Sequence, residues 1–96
     1  MDVPIGSLRI FVIIYEVGSL TQASRILKVT QPAVSARIIR LEKILKVILF
    51  ERSTNGMALT AKGQSILKMA KQILDLHDRM LAIKNEPTRG HGTSRE

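Results

Sequence analysis

Polar and basic side chains suited to hydrogen-bonding chemistry fall on one arc of a helix predicted over 31–45. At 100° per residue, the arc carries small, polar and cationic side chains with one isoleucine and no carboxylate: Pro32, Ser35, Ala36, Ile39, Arg40 and Lys43. Such groups can contact base edges and phosphates. The arc is equally compatible with the solvated face of an ordinary amphipathic helix, so the flanking sequence has to decide.

The predicted helix has a clear beginning and a clear inner face. Thr30 can accept from a backbone N–H of the first turn, and Pro32 falls where a missing N–H costs little. Its apolar side chains recur at helical spacing and form one stripe, which must face a core: Val34, Ile38, Leu41 and Leu45.

The positive charge of the chain lies in its middle. The net charge is +7, yet residues 21–71 alone have ten basic residues against Glu42 and Glu51. The basic residues are Arg25, Lys28, Arg37, Arg40, Lys43, Lys46, Arg52, Lys62, Lys68 and Lys71. Because they span several predicted elements, nucleic acid is a better partner than a membrane surface.

Composition limits the remaining classes of function. Ninety-six residues make one small domain, and the absence of cysteine removes disulfides, thiolate zinc sites and cysteine nucleophiles. His77 and His91 are too isolated to indicate a metal site, so we expect no cofactor. No apolar run is long enough to cross a bilayer and no signal peptide is evident, so we expect a cytoplasmic protein.

Two short helices are predicted before the basic one. The first covers 8–17, with Ser7 as its cap and Gly18 as its stop, although the β-branched run 10–14 is also compatible with a buried strand. The second covers 21–27, capped by Ser19 or Thr21. The short connection into the third helix predicts a helix-turn-helix.

A small β-hairpin is predicted after the third helix. Asn55-Gly56 is a strong turn signal, with apolar anchors at Phe50, Met57 and Leu59. Arg52, Thr54 and Asn55 would extend toward the tip of this wing. A plain loop is the alternative.

A long helix is predicted over 61–85, capped by Thr60. Apolar residues recur along it at spacings of three and four, as in a coiled coil: Ile66, Met69, Ile73, Leu76, Met80 and Ile83. We expect this seam to pair two subunits, because a helix wholly against its own domain would leave its far half exposed. Residues 86–96 resemble a disordered tail or a hinge.

The fold predicted is therefore mainly α. Residues 1–59 form a winged helix-turn-helix of three helices and a two-stranded wing, and 60–85 form a linker helix for dimerisation. With these residues in view, the chain resembles the N-terminal DNA-binding domain of LysR-type transcriptional regulators. The resemblance covers about residues 7–81 and rests on Leu8, Phe11, Glu16, Gly18, Ser19, Leu20, Thr21, Ala23, Leu27, Val29, Thr30, Gln31, Pro32, Ala33, Val34, Ser35, Ile38, Leu41, Glu42, Leu49, Phe50, Arg52, Leu59, Thr60 and Gly63.

The resemblance implies a dimer that binds an inverted-repeat DNA operator. A full-length form could also assemble as a tetramer. A small-molecule effector would act through a larger C-terminal domain absent from this sequence. The family's DNA contacts carry over to Gln31, Pro32, Ser35 and Arg52.

Three positions depart from the family pattern. Ala36 stands where arginine is common, so a base contact could move to Arg37. Ile39 replaces a basic residue and could touch a thymine methyl, leaving Arg40 for phosphate. Lys46 replaces the glycine that usually ends the recognition helix.

Sequence-specific DNA binding is the function we expect. One alternative is an interaction module whose linker helix captures a full-length relative, although such a module has no need for the basic middle. Another winged-helix family would not explain residues 30–35. An enzyme has little support, since Asp75 and Asp78 lie on a helix flank and no nucleophile is paired with a base.

Overall fold

The computed structural model describes residues 1–53 and 56–87. Over these residues the elements are α1 (Ile5–Val17), α2 (Leu20–Leu27), α3 (Gln31–Leu45), β1 (Phe50–Ser53), β2 (Gly56–Leu59), α4 (Ala61–Ala82) and a 3-10 turn (Ile83–Asn85). The mainly α winged helix-turn-helix with a long following helix is confirmed.

Helix α1 begins three residues earlier than the sequence predicts. Pro4 is the N-cap in an extended conformation, and its carbonyl accepts from the backbone N–H groups of Ser7 and Leu8 at 3.1 and 3.2 Å. Ser7 is buried inside the helix, so its assignment as the cap was wrong. The predicted stop is confirmed, because Gly18 adopts a left-handed conformation (φ 80°) and donates to the Ile14 carbonyl.

The core is built around α1. Phe11 and Ile14 are fully buried, and α3 packs on this helix with the stripe predicted for its inner face. The α3 residues Val34 and Leu41 have no exposed surface, and Leu45 is partly buried. Full burial of each such side chain contributes about 1.5–3 kcal/mol, so the inner face of α3 has a fixed orientation.

The wing is an antiparallel hairpin anchored on the core. β1 pairs with β2 from Phe50 opposite Leu59 to Ser53 opposite Gly56. The Phe50 ring meets the Phe11 ring edge-on, with centroids 5.3 Å apart. The predicted hairpin is confirmed, while its predicted tip residues Thr54 and Asn55 lie outside the described residues.

Helix α4 begins at the predicted cap. The Thr60 hydroxyl accepts from the Gly63 N–H at 2.8 Å and also donates to the carbonyl of Ile48, in the loop after α3. An added Cβ at Gly63 would overlap the Leu49 carbonyl oxygen and lie 3.1 Å from its carbon. Only a glycine lets α4 approach this loop so closely.

The first half of α4 completes the core rather than standing apart from it. Leu67, Ala70 and Leu74 are buried where α4 packs against α1. The helix then runs on to Ala82 and the 3-10 turn ends at Asn85, as far as predicted. Of the predicted tail over 86–96, residues 88–96 lie outside the described part of the chain.

Candidate nucleic-acid interface

Side-chain N-caps begin both α2 and α3, and a tight turn joins the two helices. The Ser19 hydroxyl accepts from the Gln22 N–H at 2.9 Å, and the Thr30 hydroxyl accepts from the Ala33 N–H at 3.2 Å. Between the helices Lys28 adopts a left-handed conformation (φ 59°), and the N–H of Val29 bonds back into α2. These local bonds hold α3 by its first turn and leave its far side free of the core.

The outer arc of α3 is exposed as a set. Ser35 is half-buried, and Ile39 is 49% exposed although it is a large apolar residue. The other members predicted for this face are exposed: Pro32, Ala36, Arg40 and Lys43. Gln31, a contact implied by the resemblance, is exposed in the first turn of the same helix. The structure therefore brings polar, small and cationic side chains together on one convex surface.

A groove joins this surface to the wing. Ser35 and Ile39 line it from α3, and Phe50 and Met57 line it from the two strands. Arg52 lies in β1 with its backbone opposite Met57, although its side chain is outside the described part of the structure. The helix and the wing thus form one continuous surface, as recognition of two adjacent DNA grooves requires.

The structure does not place Arg37 with Ser35. Its guanidinium lies beside Gly6 of α1, in a separate groove that also contains Arg9 and Val29. At 100° per residue, Arg37 is about 200° from Ser35. This position does not favour transfer to Arg37 of the base contact that Ala36 lacks.

The remaining predicted cations lie on the outer arc or next to it. Arg40 and Lys43 lie beside the N-terminal segment, where they line a groove with Met1 and Asp2. Arg25 and Lys28 are exposed at the end of α2, ahead of the recognition helix. The arc therefore has positive charge on both sides.

These cations form no ion pair within the described residues, although Asp2 shares the groove of Arg40 and Lys43. The ion pairs within the described residues join Arg9 to Asp78 at 3.0 Å, Arg79 to Asp75 at 3.5 Å and His77 to Asp78 at 3.5 Å. All of them lie along α4 or between α1 and α4. Charge on the α3 side is left available for an external anion.

One carboxylate near the interface is occupied by the backbone. Glu42 accepts from the Leu49 N–H at 2.8 Å and so fixes the loop that leads from α3 to the wing. Sequence reasoning missed this role, as it missed the closure of the same loop by Thr60 and Gly63. The bonds join residues seven to twelve positions apart, and no helical or strand period reveals such partners.

Sequence reasoning also left Lys46 and Lys62 out of the interface. Both are exposed, and they share a groove with Lys43 and Ile39. Lys62 was visible as a basic residue, but only the fold brings the start of α4 beside the end of α3.

A second exposed surface lies on the far side of α4. Its large apolar residues are between 43% and 66% exposed, and we name them the α4 strip: Met69, Ile73, Leu76, Met80 and Ile83. Ile66, the first residue of the predicted seam, is partly buried against the core. The strip faces away from Leu67, Ala70 and Leu74.

Other kinds of site find little support in the described residues. No group of three or more histidine, aspartate or glutamate side chains lies close enough there to hold a metal ion. No helix within 1–53 and 56–87 combines the length and apolar content needed to cross a membrane.

Comparison with known proteins agrees with this geometry. The model for bacterial regulatory helix-turn-helix proteins of the lysR family matches residues 5–64. The HTH-type transcriptional regulator YofA of Bacillus subtilis is 42% identical over 73 residues, which are 76% of this chain and 26% of YofA. The chain thus spans about a quarter of the length of this relative.

Solved structures share the fold at clear sequence identity. The LysR family transcriptional regulator CbnR superposes with a TM-score of 0.81 and 34% identity, over 91% of this chain and 30% of CbnR. The DNA-binding domain of BenM, solved in complex with catB site 1 DNA, gives a TM-score of 0.80 and 30% identity over 85% and 92% of the two chains.

Proposed function

The chain belongs to the lysR family of bacterial regulatory helix-turn-helix proteins, and we propose that it binds double-stranded DNA sequence-specifically as the dimeric DNA-binding part of a transcriptional regulator. One observation carries the proposal. The groove shared by Ser35, Ile39 and the wing, which Glu42 and Glu51 also line, adjoins exposed lysines that form no ion pair within the described residues.

Base reading is assigned to the first turns of α3. Gln31 and Ser35 offer an amide and a hydroxyl to base edges in the major groove, and Pro32 and Ala36 pack against base or sugar carbon. Ile39 is exposed enough to meet a thymine methyl.

Phosphate contacts are assigned to the flanking cations. We place Arg25, Lys28, Arg40 and Lys43 on the backbone of the duplex, where they position the protein without reading sequence. Arg37, which lies toward α1, belongs with this group rather than with Ser35.

The wing is assigned to the neighbouring minor groove. The contact would come from three wing residues: Arg52, Thr54 and Asn55. Residues of β1 and β2 line the same groove of the protein as Ser35, so DNA bound at Ser35 would lie beside the wing.

Dimerisation through α4 supplies the second half-site. The α4 strip leaves four large apolar side chains exposed on a helix about 33 Å long, and a fifth, Ile83, in the 3-10 turn that follows. We propose that two copies pair through an interface made of the α4 strip and Ile66. The resulting dimer reads an inverted repeat. Two proteins of similar structure support the DNA-binding role. The BenM domain was solved bound to DNA, and CbnR is a LysR family transcriptional regulator. The role requires access to chromosomal DNA, which places the protein in the cytoplasm, and it includes no catalytic step.

The test is a selection from a randomised duplex library at two salt concentrations, followed by sequencing of the bound pool. The wild-type chain should enrich an inverted repeat. Ser35→Phe, which fills the groove beside the wing, should relax or abolish that preference. Lys43→Ala should weaken binding to all sequences and flatten the salt slope by about one unit.

Two results would contradict the proposal. Equal losses on cognate and random duplexes for both variants would remove the distinction between reading and positioning residues. A wild-type chain that binds a full-length relative but no duplex would favour the interaction-module alternative.

A further inference from the structure

Three lysines meet at the corner where α3 ends and α4 begins. Lys43 and Lys46 lie at the end of α3, Lys62 lies in the first turn of α4, and all three are exposed along one groove. We call this group the lysine corner. Its floor is apolar, formed in part by Val47 and by Ile48, which is 60% exposed.

The lining of the corner has one carboxylate against three lysines. Glu42 also lines the groove, but its carboxylate accepts from the Leu49 N–H at 2.8 Å. None of the three lysines forms an ion pair with any residue in the ranges 1–53 and 56–87. Three cations around an apolar floor repel one another unless an anion joins them.

Two of these lysines stand where local structure disfavours them. Lys46 adopts a left-handed conformation (φ 58°), which glycine reaches without steric strain. Lys62 lies at the N-terminal end of α4, where the helix dipole opposes a positive charge. Lys43 and Lys46 gain something from the C-terminal end of α3, but that explanation does not extend to Lys62.

The corner continues the surface assigned to DNA. Ile39 lines both the groove beside the wing and the groove of the lysine corner, so the two meet at its side chain. A duplex held against Ser35 and Ile39 would therefore carry its backbone past Lys43 toward Lys46 and Lys62.

We propose that the lysine corner is a second phosphate-binding site, which takes the DNA backbone beyond the bases that α3 reads. The apolar floor suits the carbon atoms of deoxyribose, and the lysines neutralise the adjoining phosphates. This site rests on the proposed function, because it has a ligand only if the chain binds duplex DNA.

The experiment compares Lys46→Gly, Lys62→Ala and a control, Lys84→Ala, by titration of the selected duplex between 50 and 200 mM salt. Lys84 is exposed in the 3-10 turn that follows α4 and carries the same charge. Each corner variant should lower the steepness of log affinity against log salt concentration by about 0.9. Its loss of affinity relative to wild type should therefore become about 3.5-fold smaller as salt rises from 50 to 200 mM. The control should keep the wild-type slope.

Lys46→Gly also separates binding from folding. Because glycine relieves the left-handed strain, this variant should resist urea at least as well as wild type while it binds DNA more weakly.

The outcomes are distinct. Slopes for both corner variants that match wild type would overturn the second site alone, provided that the wild-type chain still enriches an inverted repeat. A changed preferred sequence would also overturn it, since backbone contacts carry no sequence information. Failure of the wild-type chain to bind duplex in a salt-dependent manner would instead remove the proposed function.

Discussion

Replacement of Gly63 by alanine tests how the recognition surface is held. Ordinarily alanine stabilises a helix relative to glycine by about 1 kcal/mol. At Gly63, however, the added Cβ would overlap the Leu49 carbonyl oxygen and lie 3.1 Å from both the Leu49 carbonyl carbon and the Thr60 hydroxyl oxygen. Backbone, rather than a flexible side chain, has to move.

The magnitude follows from the bonds at this contact. Separation of α4 from the loop costs about 1–3 kcal/mol by overpacking. It also strains the Thr60 N–H bond to the Leu49 carbonyl (3.0 Å) and the Thr60 cap on Gly63 (2.8 Å), and loss of such a cap costs about 1 kcal/mol. After subtraction of the helix-propensity gain, we expect a net destabilisation of about 1–3 kcal/mol. For a domain of this size, that lowers Tm by at least about 4 °C.

The assay is thermal and urea unfolding followed by circular dichroism, at one fixed protein concentration because the proposed dimerisation would add to apparent stability. Gly6→Ala is the matched control. Gly6 is exposed in α1, and its Cβ would meet only the Arg37 guanidinium at an ordinary 3.8 Å. The same substitution there should leave stability unchanged or raise it. A Gly63→Ala protein as stable as wild type would refute the argument that close approach of α4 positions this loop.

Two further predictions concern α4. Ile73→Lys places a charge in the α4 strip and should yield monomers in sedimentation, with affinity for a single half-site retained, whereas Gln72→Lys beside the strip should leave the dimer intact; dimeric Ile73→Lys would exclude the strip as the interface. The Arg9 guanidinium lowers the pKa of Asp78 through a hydrogen bond, with a second bond from His77. The pair therefore stabilises the fold above the ordinary carboxyl pKa and loses that contribution as pH falls through the lowered value. In urea titrations the stability difference between wild type and Asp78→Asn should shrink below about pH 4, and a difference that grows with acidity would refute this sign.

Local signals in the sequence predicted much of the fold. Ser19, Thr30 and Thr60 act within three residues of their partners, so their caps can be inferred from residue type and spacing. The same reasoning gave the wrong cap for α1, at Ser7. The helix begins after Pro4, which makes no side-chain cap hydrogen bond that residue type could have predicted.

Long-range packing accounts for what the sequence could not predict. The bond from Leu49 to Glu42 and the close approach at Gly63 depend on how α4 meets the loop after α3. The candidate DNA-binding surface likewise has a part that local sequence predicted and a part that depends on packing. The outer arc of α3 was predicted from helical period alone, and the period also places Arg37 away from Ser35, whereas the link from Lys46 to Lys62 required the packed structure.

Helix α4 presents two apolar faces, one built into the core by Leu67 and Leu74 and the other left exposed as the α4 strip. In a dimer joined through the strip, the angle between the two recognition helices depends on how these faces are offset around one helix. Deletion of a single residue between Leu74 and Met80 would turn the later strip residues by about 100° relative to the core. In such a dimer, half-site preference would depend on α3 and half-site spacing on α4, so the two could change independently as operators diverge.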